Sequence, residues 1–389
     1  LTGRAGVLRS MALAASYDGP DLLGNQWAHA PSGNPVLTAK GLPAELSEET
    51  LLWEAQLGRQ QYATPTAAAG RVFVGVGRRA FRDDNLKRMH FRGALLCLRQ
   101  DSGELDWQMA FDVPLQPGGR DSRYGLCSPP VVEGNRLYLV TASGVAVCMD
   151  VEGMANGNDG PFQDELKGKK LKELTAEQIE DLRPRFGDII WFRDITGEFD
   201  IRLHDAYAGR VLLHGDHLWI PTSHAEGATN DLAYLCPGKE ILRKGPRKNM
   251  VVLDKNTGEV VAVDDLTVRE VYHGQWSSPT LGVVDGTDQV YYGDGYGILH
   301  AFAPPEPGVE GVQTLETLWS YDANPRDYRI KDGYEILYEG PRGDTVGQND
   351  GPSEIISMPV FHKGRVYCAI GRDDRASWPE GHAKGMQIG

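Results

Sequence analysis

Short runs of alternating apolar and polar residues, each closed by a glycine-bearing turn, recur along this chain. "TPTAAAGRVFVGVG" (64–77) reads as a Pro-led strand, a turn and a second strand. "GALLCL" (93–98), the turn "RQDSGE" and "LDWQMAF" (105–111) then supply a third and a fourth. A second copy, "SPPVVEGNRLYLVTASGVAVCMD" (128–150), delays its closing strand to "DIIWFRDI" (188–195). The third runs through "GRVLLHGDHLWIPTS" (209–223) and "NMVVLDKNTGEVVAVDDL" (249–266), and the fourth through 277–302 with "TLWSYDA" (317–323) closing it. A fifth begins at "SMPVFHKGRVYCAIG" (357–371). Anchored on Pro65, Pro129, Pro279 and Pro359, the copies lie further apart than the ~40–50 residues of an ordinary blade, so the excess is insertion between strands. The pattern predicts an all-β fold: a β-propeller of four-stranded antiparallel blades, four complete copies and part of a fifth, with long insertions.

The recurring residue types have physical reasons. Asp101 and Asp254 are placed to accept backbone N–H bonds in the turn, and Gly103 and Gly258 to take positive φ. Trp53, Trp107, Trp191 and Trp319 fall at one position of the closing strand, where a ring can bury ~150–250 Å² between neighbouring sheets. These eight residues are read as structural repeat positions. In the third copy Ala262 stands where the ring is expected, which predicts a weaker interlock there. Pro at the start of each first strand needs no ladder donor.

Composition narrows the partners. The 389 residues include 47 Gly and 23 Pro, as a turn-rich fold requires, and the net charge of −14 argues against nucleic acid or an anionic membrane surface. The one basic run, "KGKKLK" (167–172), is short. No run reaches the ~18 apolar residues of a membrane helix. Cys97, Cys148 and Cys368 lie in apolar strands and read as buried small hydrophobes; with Cys127 and Cys236 they form no CxxC pair.

"LCLRQDSGELDW", "VVLDKNTGE" and the openers "ATPTAAAGRVFVG" and "SSPTL" resemble the repeats of the PQQ-like (quinoprotein-type) β-propeller superfamily, in the form found in planctomycete-type exported propellers. The resemblance covers residues 46–389, leaving 1–45 as an N-terminal extension. It implies a periplasmic or otherwise exported protein and more blades than the copies counted here. The expectation is therefore that further sequence or a partner chain or segment completes the propeller, unless the strand around Trp53 closes the copy begun at Ser357. For quinoprotein dehydrogenases the resemblance implies PQQ over a Trp floor, a disulfide between adjacent cysteines, and Ca²⁺ held by Glu and Asn with an Asp base. No adjacent cysteines occur in this chain.

The insertions carry the remaining candidates. Thr175 and Gln178 have capping-box spacing, which predicts a short helix before Pro184. "GNDGPFQDE" (157–165) and "GDTVGQNDG" (343–351) offer oxygen ligands for Ca²⁺ without EF-hand spacing. His214 and His217 flank a tight turn, so they read as hairpin neighbours rather than a metal pair. His273, Gln275 and Trp276, just before the first strand of their copy, are the channel-mouth candidates. No catalytic residue, metal site or cofactor is assigned. The reading is a non-catalytic exported propeller serving as a scaffold or protein-interaction platform. Its alternatives are a PQQ- and Ca²⁺-dependent oxidoreductase and a small-ligand or glycan binder using Trp276 and Tyr296.

Overall fold

The computed structural model describes residues 6–11, 30–34, 45, 47–58, 62–77, 93–111, 125–163, 165, 175–203, 206–224, 248–266, 275–325, 330–331, 334–335, 354–371 and 384–388. Contacts divide the chain into two units. One comprises 1–30, 35–114 and 121–193; the other comprises 31–34, 115–120 and 194–389.

In the first unit β1 (Gly6–Met11) pairs antiparallel with β2 (Leu51–Gly58). The first blade follows as β3 (Thr66–Ala68), β4 (Arg71–Val76), β5 (Gly93–Arg99) and β6 (Leu105–Phe111), hydrogen-bonded in chain order. The second is β7 (Val131–Glu133), β8 (Arg136–Val140), β9 (Val145–Asp150) and β10 (Ile189–Asp194). The second unit holds β11 (Leu212–His214), β12 (His217–Pro221), β13 (Met250–Asp254) and β14 (Val260–Val263). The fourth blade is β15 (Thr280–Val284), β16 (Thr287–Gly293), β17 (Ile298–Phe302) and, after a detour, β19 (Thr317–Asp322). In the detour β18 (Gln313–Thr314) joins β14 in parallel and extends the third blade to five strands. A small hairpin, β20 (Ile330–Lys331) and β21 (Tyr334–Glu335), precedes a three-stranded sheet of β22 (Val360–His362), β23 (Arg365–Ile370) and β24 (Lys384–Ile388). These sheets are propeller blades, and the fold is all-β as the repeat predicts.

One cross-strand row repeats in each blade. In the first it runs Thr66, Phe73, Cys97, Trp107. In the fourth it runs Thr280, Tyr291, Ala301, Trp319. A small residue on the third strand lets the flanking rings approach over it: 6.0 Å for Phe73 and Trp107, 5.7 Å for Tyr291 and Trp319. In the second blade Tyr138 pairs with Cys148 and its ring lies 6.3 Å from Trp191. Cys97 and Cys148 are thus spacers between aromatics, and burial raises both thiols, Cys148 to about 12. Such groups are thiols, not thiolates, at neutral pH.

The row faces the next blade. Phe73, Cys97 and Trp107 pack with Leu137, Leu139 and Met149, while the opposite face of the same sheet buries Val74, Leu96 and Leu98 against Trp53, Ala55 and Leu57. Trp53 Nε1 donates to Gln100 O (2.8 Å) and Trp107 Nε1 to Val151 O (2.9 Å), so each ring is fastened to the turn of the following sheet. Those turns must have glycine. Gly103 (φ +69) and Gly153 (φ +61) take a left-handed conformation, and a Cβ on them would lie 2.4 Å from the Trp53 ring and 2.9 Å from the Trp107 ring.

Ala262 is compensated. Its row is Leu212, Trp219, Val252, Ala262, so the large ring has moved to the second strand, where Trp219 is fully buried against Val290, Tyr292 and Phe302. Pro in the openers also has a use. Thr66 Oγ1 donates to Pro130 O (2.8 Å), Arg210 Nη2 to Pro279 O (2.9 Å) and Thr280 Oγ1 to Pro359 O (2.7 Å), tying the starts of the first, third and fourth copies to the opener of the copy that follows.

Two local readings need correction. The residue of the first blade equivalent to Asp254 is Arg99, not Asp101. Gly258 N donates to Asp254 O and Gly103 N to Arg99 O, both at 2.9 Å, which sets the register. Asp254 Oδ1 accepts from Asn256 N (2.8 Å) and Thr257 N (2.9 Å), whereas Asp101 is exposed, 3.7 Å from Arg99 Nε. Among the described residues the strand around Trp53 pairs with β1 from the N-terminal extension, and with no strand of the copy begun at Ser357. The helix Ala176–Leu182 forms with the Thr175–Gln178 capping box its sequence predicts.

Cys97→Ala is expected to cost little, whereas Cys97→Leu forces the Phe73 and Trp107 rings apart and should destabilise by about 1–3 kcal/mol. Urea unfolding of the two variants checks this; equal losses would show that the space between the rings is not size-limited.

Candidate functional site

The three channel-mouth candidates are placed unequally. His273 lies outside the described residues. Trp276 is half-buried. Gln275 is 2% exposed and fully engaged: its Nε2 donates to His224 O (2.8 Å) and Asn249 Oδ1 (3.2 Å), and its Oε1 accepts from Gly295 N (3.1 Å). One amide side chain therefore joins the end of β12, the start of β13 and the turn after β16.

The network extends both ways. His224 is fully buried, and its Nδ1 accepts from Arg202 N (3.1 Å), so the ring is neutral with its proton on Nε2. Asp264 Oδ1 accepts from Asn249 N (2.8 Å) and Met250 N (2.7 Å), and Oδ2 from Leu266 N (3.1 Å). Burial raises the Asp264 carboxyl, opposed by those N–H groups. On the other side Asp294 Oδ1 accepts from Tyr296 N (2.9 Å) and Ile298 N (2.8 Å), while Oδ2 lies 3.1 Å from His300 Nε2. His300 Nδ1 lies 2.8 Å from Ser320 Oγ. Sequence reading did not single out this Ser320–His300–Asp294 chain, because its members sit on β19, β17 and the preceding turn. His300 and Ser320 are direct cross-strand partners, and Ser320 is exposed on the outer strand. The chain ties the outer strand of this blade to β17 and to the turn before it.

Arg210, 1% exposed, is brought down to about 10 by burial. Near it, residues 31–34 run along the first strands: Leu281 N donates to Pro31 O and Phe361 N to Ser32 O, each at 2.9 Å. Asn34 Nδ2 lies 2.9 Å from His362 Nδ1. The two hairpin histidines are a direct cross-strand pair, with His214 Nε2 bound to Asp288 Oδ2 (2.9 Å), and burial lowers His217. His204 lies outside the described residues.

The chain has no adjacent cysteines, and the oxygens of Asp264 and Asp294 are engaged by backbone N–H groups and His300. What the described arrangement does chemically is hold loop ends in place.

Gln275→Leu keeps the side-chain bulk but leaves Gly295 N–H and His224 C=O without this partner, and is expected to cost about 2–4 kcal/mol in urea unfolding. A neutral result would mean that water replaces the amide.

No family model and no curated protein matches the chain. Among solved structures it is similar to BamB from Moraxella catarrhalis at 14% identity over 80% of this chain and 58% of that one, with a TM-score of 0.38. A europium-containing methanol dehydrogenase matches at 10% identity over 82% and 56%, TM-score 0.44. The quinohemoprotein alcohol dehydrogenase from Comamonas testosteroni matches at 11% over 80% and 39%, TM-score 0.41. The chain spans 58%, 56% and 39% of the length of these proteins. What stands on the described sheets themselves is the fold: the chain is a β-propeller protein whose repeats resemble the PQQ-like type.

Proposed function

We propose that this protein is a non-catalytic, exported β-propeller that serves as a docking platform for protein partners. The observation that carries the reading is the outer edge of the fourth blade. Among the described residues the outer strands of the first three blades are shielded. β6 is bridged at Gln108 by Phe186, with Gly187 N donating to Gln108 O (3.1 Å). β14 is covered by β18, and the 157–165 loop reaches β10, where Phe162 stacks edge-on against Phe192 at 5.2 Å. Among the described residues only β17 pairs with β19. Leu318 (36%) and Tyr321 (40%) are exposed on its two faces.

A strand edge that no described strand covers can be extended by a partner segment through strand addition, while side-chain pockets give selectivity. The engaged state of Gln275, His224, Asp264 and Asp294 supports a binding rather than a chemical role. Export rests on the sequence resemblance, and no helix among the described residues is long and apolar enough to cross a membrane.

A photocrosslinker at Leu318 or Tyr321 in the native host is expected to yield one discrete protein adduct, absent when it is placed at exposed Glu198. Tyr321→Lys should remove the adduct without changing the melting temperature. Incubation with PQQ and Ca²⁺ supplies the opposing arm: stoichiometric cofactor uptake with dye-linked alcohol oxidation would replace this reading with an oxidoreductase.

A further inference from the structure

The loop 157–165 ends in an unusual set of partners beside β10, the strand furthest from β7 in the second blade. Asp159 N donates to Asp188 Oδ2 (2.9 Å), Asn158 Nδ2 to Glu165 Oε2 (2.9 Å), and Ile189 N to Glu165 Oε1 (3.1 Å). Glu165 is 3% exposed and Asp188 0%. Every donor named is a neutral N–H. The arginine whose charge acts on Glu165, Arg183, has its guanidinium bound to Glu180 at 2.7 and 3.0 Å. Asp150, also buried in this neighbourhood, has its own cation in Arg136 at 2.6 Å.

Two further oxygens of the same cluster, Asp188 Oδ1 and Asn158 Oδ1, are buried with no hydrogen-bond partner. Both are acceptors, and a buried acceptor without a donor is costly. Neighbouring buried carboxylates add mutual repulsion unless a positive charge sits between them. Carboxylate and amide oxygens without nitrogen or sulfur form the donor set of a hard cation.

We propose that Asp188, Glu165 and Asn158 bind a divalent cation, Ca²⁺, which pins the 157–165 loop to β10. Among the described residues no three His, Cys, Asp or Glu side chains converge as metal ligands. The shell is therefore two carboxylates and an amide, completed by water or backbone oxygen, and its low ligand charge makes it a weak site, of order 10⁻⁴–10⁻³ M. Burial foremost, with Glu165 and Asp150 adding to it against the Asp159 N–H, raises the Asp188 carboxyl to about 7. The site lies at the outer strand and is separate from the network around Gln275.

Terbium luminescence and thermal unfolding of the full chain test this, because Trp191 lies three residues beyond Asp188 and can sensitise a bound lanthanide. Tb³⁺ is expected to give tryptophan-sensitised emission that Ca²⁺ quenches by competition. Ca²⁺ at about 10 mM should raise the melting temperature of chelator-treated protein by on the order of 3 °C. Asp188→Asn, isosteric and still able to accept from Asp159 N through its amide oxygen, should stay folded and lose both responses. Emission or a Ca²⁺ shift unchanged in Asp188→Asn would overturn the proposal. So would a wild-type protein that gives no sensitised emission with Tb³⁺ and no melting-temperature change with Ca²⁺.

Discussion

The structure depends on the seating of a tryptophan ring from one sheet on the glycine turn of the next. Trp53 lies over Gly103 and Trp107 over Gly153, and each indole N–H is fixed to a carbonyl of that turn. The contact combines burial of a large ring, a directional hydrogen bond and a left-handed backbone that only glycine adopts cheaply. It joins consecutive sheets without using their ladders. Strands within a blade can therefore be separated by long insertions, as between β9 and β10, without loosening the join.

The same ring sets the composition of the row behind it. A Trp on the fourth strand and an aromatic on the second meet over a small third-strand residue, which is why cysteine recurs there. Where the fourth position is Ala262, Trp219 supplies the ring from the second strand and the row is still filled. Volume per row is kept, rather than residue identity per position, as close packing requires. With the blade faces and first strands used in this way, the proposed binding falls to outer edges and insertions: β19, which no strand covers on its outer side among the described residues, and the acidic loop beside β10.

The blades were legible because their cause is local: alternation, a turn glycine and a ring at a fixed distance from it. Trp53, Trp107, Trp191 and Trp319 could be found from one another. Asp101 could not be placed by the same route, since matching Asp to Asp slips the turn by two residues. Glycine and the backbone bond it closes set the register, and the carboxylate is optional. Ala262 was legible as a missing ring, which predicted a weaker interlock, but nothing local pointed to Trp219, which lies two strands away in the sheet and fills the row. β1 and the two-residue β18 exist only through their partners and carry little pattern of their own. Gln275 was recognisable as a candidate, but its role comes from His224, Asn249 and Gly295, which only the fold brings to it. The 157–165 loop was visible as a source of oxygen ligands; Asp188, the buried carboxylate that gives it a site, sits beyond a helix and looks in sequence like an ordinary strand-start residue.

A double-mutant cycle at Trp53 and Gly103 tests the ring-on-turn contact most directly. Gly103→Ala in the wild-type background meets both the left-handed strain and the ring 2.4 Å away, whereas with Trp53→Ala only the strain of about 1 kcal/mol remains. The account predicts a coupling of roughly 1 kcal/mol or more between the two sites in urea unfolding. Additivity within about 0.3–0.5 kcal/mol would contradict it, and would show that the sheets are joined by something other than the tryptophan on the turn.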